Sequence, residues 1–200
     1  MKGQLEAWEN EYASPDPLWK GPPPQVGHCG RRVLELGCGN GKTLAAVARA
    51  ELSVGLDHSF NALRRCPPGK ASLVRGDVLG LPFQDGSFDT VLLFHVLEHL
   101  LEEERVAAVK EVIRVLGPGG LVSVRSFSVR DMRYGKGTEV EKDTFRRGNS
   151  IIYHYFEPDE VRSLMRPLEE IDLREVAVEK RYVKKAVRAE LVATFRNGRP

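Results

Sequence analysis

No uncharged apolar run in this 200-residue sequence approaches the length needed to cross a bilayer. The start, MKGQLEAWENEY, carries acids where a secretory signal would carry an apolar core. A cytoplasmic location without a membrane partner is the expectation. Cysteine is scarce: Cys29, Cys38 and Cys66 are odd in number and lack both a paired framework and a CxxC zinc spacing, which fits a reducing compartment. Net charge is slight, +2 from 30 basic and 28 acidic residues, so it points to no nucleic-acid partner. What is present is 42% hydrophobic residues, enough for one sizeable core.

Residues 1–30 read as an accessory arm. Trp8, Tyr12 and Trp19 are scattered among polar residues, Pro22, Pro23 and Pro24 break any regular element, and a short helix fits before the prolines. So many large aromatics suit an arm that folds onto a site as a lid. From residue 31 onward, β-rich runs alternate with helical segments, the mark of βαβ units. Strands are predicted at 32–36, 53–56, 71–75, 88–94, 121–127, 171–178 and 189–195, with helices at 42–50, 59–66 and 158–165. The segment LEEERVAAVKEVIRVLGPGG predicts a further helix with Val106, Val109, Ile113 and Leu116 as its apolar face. Glu102, Glu103 and Glu104 sit at its positive end, and Gly117 with Pro118 stops it.

The run VLELGCGNGKT, residues 33–43, places Gly37, Gly39 and Gly41 between a buried strand and a helix. Such a loop turns sharply and brings bare backbone, with helix N–H groups, against a ligand. A phosphate-cradling GxxxxGK[ST] loop fails, because Leu36 stands where its first glycine belongs. A dinucleotide GxGxxG fingerprint has Lys42 in place of its last glycine and Glu35 beside the pyrophosphate position. Asp57 falls at the end of the second strand, 20 residues past the first glycine, and Asp77 beyond the third. Alone, each acid reads as a helix cap or turn residue; placed together at successive strand ends, they read as ligand groups. Asp89, at the opposite rim, reads as structural.

These residues resemble the class I S-adenosylmethionine-dependent methyltransferase family. Glu35 with the glycines is similar to its first motif and SVGLDHS to its second. RGDVLGLPF resembles the third, SFDTVLLFHVLEHL the fourth, and VIRVLGPGGLVSV the signature after the helix. The resemblance spans residues 31–127 in register. It implies an α/β three-layer sandwich around a mostly parallel seven-stranded sheet with a C-terminal antiparallel hairpin strand. It also implies S-adenosylmethionine as cofactor, held by Glu35, Gly37, Cys38, Gly39, Asn40, Gly41, Asp57, His58, Asp77, Val78 and Phe94. In that family Asp57 would accept the ribose hydroxyls, Asp77 the adenine amino group, and Glu35 would organise the ammonium of the methionine moiety, where a carboxylate helps and a phosphate would be repelled.

The methyltransferase domain is then expected over 31–200, with the arm as cofactor lid and a substrate-side insertion at 128–156, much longer than an ordinary loop. Its basic and aromatic residues Arg130, Tyr134, Tyr153, His154 and Tyr155 are substrate-binding candidates. His154 and His95 are candidate bases, should the acceptor need to lose a proton. The NPPY sequence of methyltransferases acting on adenine or amide nitrogen is absent after the fourth strand, where Phe94, His95 and Val96 stand. The HxxEH spacing of His95, Glu98 and His99 matches a zinc-hydrolase signature but lacks a third ligand, so no metal is expected. The acceptor is expected to be a small molecule, with RNA or protein as the alternative.

Overall fold

Strand β1, Arg32–Leu36, buries every residue after its first, so it has to lie inside a sheet covered on both faces. The computed structural model places it there. Described are residues 2–14, 23–47, 49–181 and 185–198, the side chains of 2, 3, 180, 181, 185 and 186 excepted. Trp19 of the expected arm lies outside the described residues.

In chain order the elements are α1 (Lys2–Ala13), β1, α2 (Lys42–Ala46), β2 (Leu52–Asp57), α3 (Phe60–Leu63), β3 (Ser72–Arg75) and β4 (Phe88–Phe94). There follow α4 (Glu102–Val115), β5 (Leu116–Phe127), β6 (Thr138–Glu141), β7 (Thr144–Arg146), β8 (Ile152–His154), α5 (Pro158–Leu164), β9 (Glu169–Arg181) and β10 (Lys185–Arg196). The main sheet has seven strands in the order β3-β2-β1-β4-β5-β10-β9. The first five run parallel, and β10 is antiparallel to both β5 and β9. This is the expected mostly parallel sheet with its C-terminal antiparallel hairpin.

Strand alternation makes the layers. Leu34 and Leu36 of β1 point into a core shared with Val109, Val112 and Ile113 of α4 and Val161 of α5. Val33 points the other way, against Leu44 and Val47 beside α2. The third cluster, Phe127, Phe145, Ile151, Tyr153 and Tyr155, belongs to the segment after β5 and takes in Ala7 and Trp8 from α1.

Several details differ from the sequence reading, among them a shorter α3 and longer β9 and β10 than predicted. Helix α2 stops at Ala46, because Val47 turns into the core and takes a non-helical conformation. Val106 is 42% exposed. The buried stripe of α4 instead runs through Arg105, Ala108, Val109, Val112 and Ile113. Arg105 can sit in that stripe because its guanidinium donates to the Leu100 carbonyl at 2.8 Å and lies over the Phe156 ring. Finally, β5 begins at Leu116 rather than 121, and the long segment 128–156 contains a three-stranded antiparallel sheet, β6-β7-β8.

Candidate active site

The strand order reverses between β1 and β4: the chain runs from β1 outward to β2 and β3, then returns to β4 on the other side. Such a switch point leaves a crevice at the carboxyl ends of the two strands. Gly37 leaves β1 there with φ +64°, and a Cβ on it would lie 2.6 Å from the Val96 side chain that follows β4. Only glycine fits both the left-handed backbone and the close approach. The cavity opening at this place, about 90 Å³, is lined by Gly37, Asp57 and His58 from the ends of β1 and β2, by Val78, and by His95, Val96, His99 and Leu100 after β4.

Asp57 braces the loop from below. Its Oδ2 accepts the Gly39 N–H at 2.8 Å and its Oδ1 the Ser59 N–H at 2.9 Å. Burial pushes its carboxyl up, against the pull of those two amides. Glu35 lies deeper, 3% exposed. Burial raises its carboxyl to about 8, although Thr43 and the Leu44 amide hydrogen-bond to it. Its Oε2 is buried with no partner among the described residues. Behind the loop the Cys38 thiol meets Cys66, a contact that pushes Cys38 up, along with burial, and holds Cys66 down.

Helix α1 forms the roof. Glu9 reaches the start of α3, where its carboxylate accepts the Ser59 hydroxyl at 3.0 Å and the Phe60 and Asn61 amides at 2.8 and 3.0 Å. These are donors that a helix N-terminus leaves unmade, and a carboxylate from another segment satisfies them. Tyr12 and Trp8 then descend into the cavity, with Trp8 edge-on to His99 at 4.8 Å. At the helix's other end, the Gln4 side chain donates to the Ser150 carbonyl at 2.8 Å and accepts the Ile152 N–H at 3.3 Å.

At the end of β4 the chain makes a tight turn, and His95 takes φ +59°, unusual for a residue with a Cβ. Its Nδ1 lies 2.7 Å from Glu98 Oε1, and its ring packs against Phe127 at 4.7 Å.

A family profile described as a methyltransferase domain matches residues 34–124, from β1 through β5. A SAM-dependent methyltransferase of Methanosarcina mazei, 25% identical, superposes with a TM-score of 0.70 over 85% of this chain and 93% of that one. The matched stretch, residues 34–124, is a class I S-adenosylmethionine-dependent methyltransferase domain. Among curated relatives, a tRNA (carboxymethyluridine(34)-5-O)-methyltransferase of Macaca fascicularis is 33% identical over 121 residues, 60% of this chain and 17% of that protein. Norajmaline N-methyltransferase of Rauvolfia serpentina is 31% identical over 115 residues, 51% of this chain and 38% of its own. The chain thus spans less than half the length of these relatives.

Of the residues singled out in the sequence, the fold gathers Gly37, Asp57, His58, Val78 and His95 around the cavity. Glu35, Cys38, Gly39, Asn40 and Gly41 form or support its loop without lining it. Asp77 is exposed and accepts the Leu79 amide at 2.9 Å, as a turn residue does. Phe94 lies under the Arg125 guanidinium, 5.4 Å away, rather than in the cavity. Asp89 holds Arg32 at the far rim, as read from the sequence. Of the arm, α1 lies over the glycine loop, with the Tyr12 hydroxyl against Gly39.

The segment 128–156 is where the reading needs correcting. His154 is 2% exposed, its Nδ1 2.8 Å from Thr144 Oγ1 and its Nε2 2.8 Å from Glu160. Both ring nitrogens are committed to the fold and neither reaches the cavity. Tyr155 is fully buried in the third cluster, and its hydroxyl donates to the Arg133 carbonyl. Tyr134 is exposed and bonded to Asp143, and Arg130 is exposed and paired with Glu175. Tyr153 alone of these borders the site, edge-on to His99 at 5.0 Å. Nothing in the sequence picks out Gln4 or Glu9, and His99 stands out there only through the HxxEH spacing. Their roles come from docking across more than 50 residues of chain, which no local spacing records.

Proposed function

We propose that this chain transfers a methyl group from S-adenosylmethionine to a small-molecule acceptor. The observation that carries this is the convergence of Gly37, Asp57, His58 and Val78, from the ends of neighbouring strands, on one cavity at the switch point. The residues present fit the cofactor. Gly37 and Gly39 leave a cradle that a Cβ would fill, Asp57 offers acceptor oxygens at the place where ribose hydroxyls would lie, and Val78 offers backbone beside an adenine position. The unpartnered Glu35 Oε2 suits a zwitterion with an ammonium and opposes a pyrophosphate. Once bound, the cofactor supplies an electrophilic methyl on a sulfonium. The protein's part is to align the acceptor with it and to exclude water. The arm helix serves as the lid over this site, and of segment 128–156 only Tyr153 borders it, against His99.

A small acceptor is favoured because α1 and the turn after β4 enclose the cavity. Moreover, Arg130 and Arg133 already pair with Glu175 and Asp131, which leaves little of the basic stripe an RNA backbone requires. The macaque relative, named for tRNA, keeps the macromolecular acceptor as the second reading. Three free thiols suit the cytoplasm, where we place the enzyme.

The test is incubation with methyl-labelled cofactor and a cell extract fractionated by size. Label in the low-mass fraction supports the reading, label in tRNA or protein selects the alternative, and no cofactor binding by calorimetry overturns both.

A further inference from the structure

From this geometry we infer that His95 is a general base held by Glu98, and that the accepting atom is therefore a hydroxyl oxygen. This rests on the proposed transfer and narrows it to O-methylation.

His95 stands at the carboxyl end of β4, on the wall shared with Gly37 and Asp57, so it faces the crevice where donor and acceptor would meet. Its φ of +59° is backbone strain of the kind kept where a side chain must be aimed, and its N–H is fixed to the Arg125 carbonyl at 2.9 Å. Phe127 supports one face of the ring, at 4.7 Å.

Glu98 is fully buried, with one oxygen 2.7 Å from His95 Nδ1 and the other accepting the Ser126 hydroxyl. Burial alone would push its carboxyl up, yet His95 and His99 hold it below the usual carboxylate range. An ionised Glu98 keeps the proton of neutral imidazole on Nδ1 and leaves Nε2 as the basic nitrogen, the orienting role of a carboxylate behind a catalytic histidine. Nε2 lies 3.7 Å from Glu190 of β10, whose carboxylate is shared with Arg188 at 3.9 Å. Arg133 lies beyond Phe127, while Asp57, His58, His99 and Tyr12 face His95 across or along the cavity.

Methylating a neutral amine or a carboxylate needs no base before the bond forms; methylating a hydroxyl does. The acceptor O–H would give its proton to Nε2 as its oxygen forms the new O–CH3 bond. The S–CH3 bond breaks with its electron pair left on sulfur, and the proton passes from the imidazolium to solvent. Glu98 acts through His95 and is a positioning residue.

The test uses the full chain. His95→Asn keeps a residue that tolerates a left-handed backbone, and Glu98→Gln keeps shape. S-adenosylhomocysteine binding is measured on each, so that turnover is compared with the site occupied. Long-range nitrogen–proton NMR of the wild type is expected to show Nδ1 protonated. With methyl-labelled cofactor and the low-mass extract fraction, the product is expected to be an alkali-stable, uncharged ether. In His95→Asn, kcat should fall by about 100-fold or more with the acidic limb of the pH profile gone. In Glu98→Gln that limb should move to lower pH and the plateau should drop.

A methyl ester, releasing labelled methanol in alkali, or a product retained on a cation exchanger would overturn the inference. So would an unchanged kcat and pH profile in His95→Asn, or an Nε2-protonated ring in the wild type. If the wild type binds S-adenosylhomocysteine yet labels nothing in any fraction, the proposed transfer itself falls and this inference with it.

Discussion

The Tyr12 hydroxyl lies against the backbone of Gly39, where a Cβ would stand 2.4 Å from it. The loop and helix α1 are therefore fitted to each other at a single glycine. Burial and the neighbouring Asp57 raise the Tyr12 phenol, so it stays protonated. The cavity left beneath it, about 90 Å³, is well short of the ~300–1,000 Å³ of a small-molecule pocket. Entry of the cofactor then requires Tyr12 and Trp8 to withdraw. Tyr12→Ala is expected to speed association of S-adenosylhomocysteine, read by stopped-flow fluorescence. Gly39→Ala adds the same clash to a φ of +53°, a conformation costing an alanine about 1–2 kcal/mol, and should weaken binding by about tenfold or more in calorimetry.

Glu9 should govern how firmly the lid is seated. Its carboxylate accepts three hydrogen bonds at the start of α3, and bonds to a charged group contribute about 1.5–3 kcal/mol each at most. Glu9→Ala is expected to undock α1 while leaving the sheet intact. In a Trp19→Phe background, Trp8 emission should shift to the red in the variant without ligand. An unshifted spectrum would mean that Trp8 and Gln4 hold the helix unaided.

The raised Glu35 carboxyl, about 8 against 4.5 for the free group, sets a pH dependence with a definite sign. Between these values the native state holds a proton that the unfolded chain does not. Its contribution is full below pH 4.5 and is lost as pH rises towards 8, by at most about 1.4 kcal/mol per pH unit. Denaturant melts of the ligand-free protein should show this slope, and Glu35→Gln should flatten it. Because the cofactor's ammonium favours the carboxylate, its affinity should rise over the same interval in the wild type and not in the variant.

His154 makes the opposite prediction to His95. With Thr144 and Glu160 on its two nitrogens and Phe156 against its ring at 4.3 Å, it is a fastener of the second sheet. His154→Ala should cost about 2 kcal/mol, or about 4–8 °C in Tm, with cofactor affinity unchanged. A stable variant with reduced kcat would return His154 to the chemistry.

The parallel strands were readable because buried runs such as VLEL and TVLLF follow glycine-containing turns, and the loop after β1 was readable because glycine spacing is local. The phase of α4 was not, since a buried arginine took a position that apolar periodicity assigns to its neighbour Val106. The same limit explains His154. Its setting between two tyrosines resembled a binding wall, whereas the partners that bury it, Thr144 and Glu160, are named only by the pairing of β7 with β8 and the placement of α5. For His95 the sequence showed where the residue would stand, but not the carboxylate behind it as a hydrogen-bond partner, because the turn Leu97–His99 bends Glu98 inward.

The contacts of Gln4 with residues 150 and 152 join points 146 and 148 residues apart. A helix of 12 residues with no acid in its first turn and no base in its last has little stability of its own in water. Helix α1 can dock on α3 through Glu9 early, but its contacts through Gln4 wait until β8 has been made, and closing that longer loop is paid for only by those late contacts. The docking of α1 is thus completed late, and α1 is the first of the described elements to open. Amide exchange over residues 2–13 should run ahead of global unfolding and slow when the site is filled.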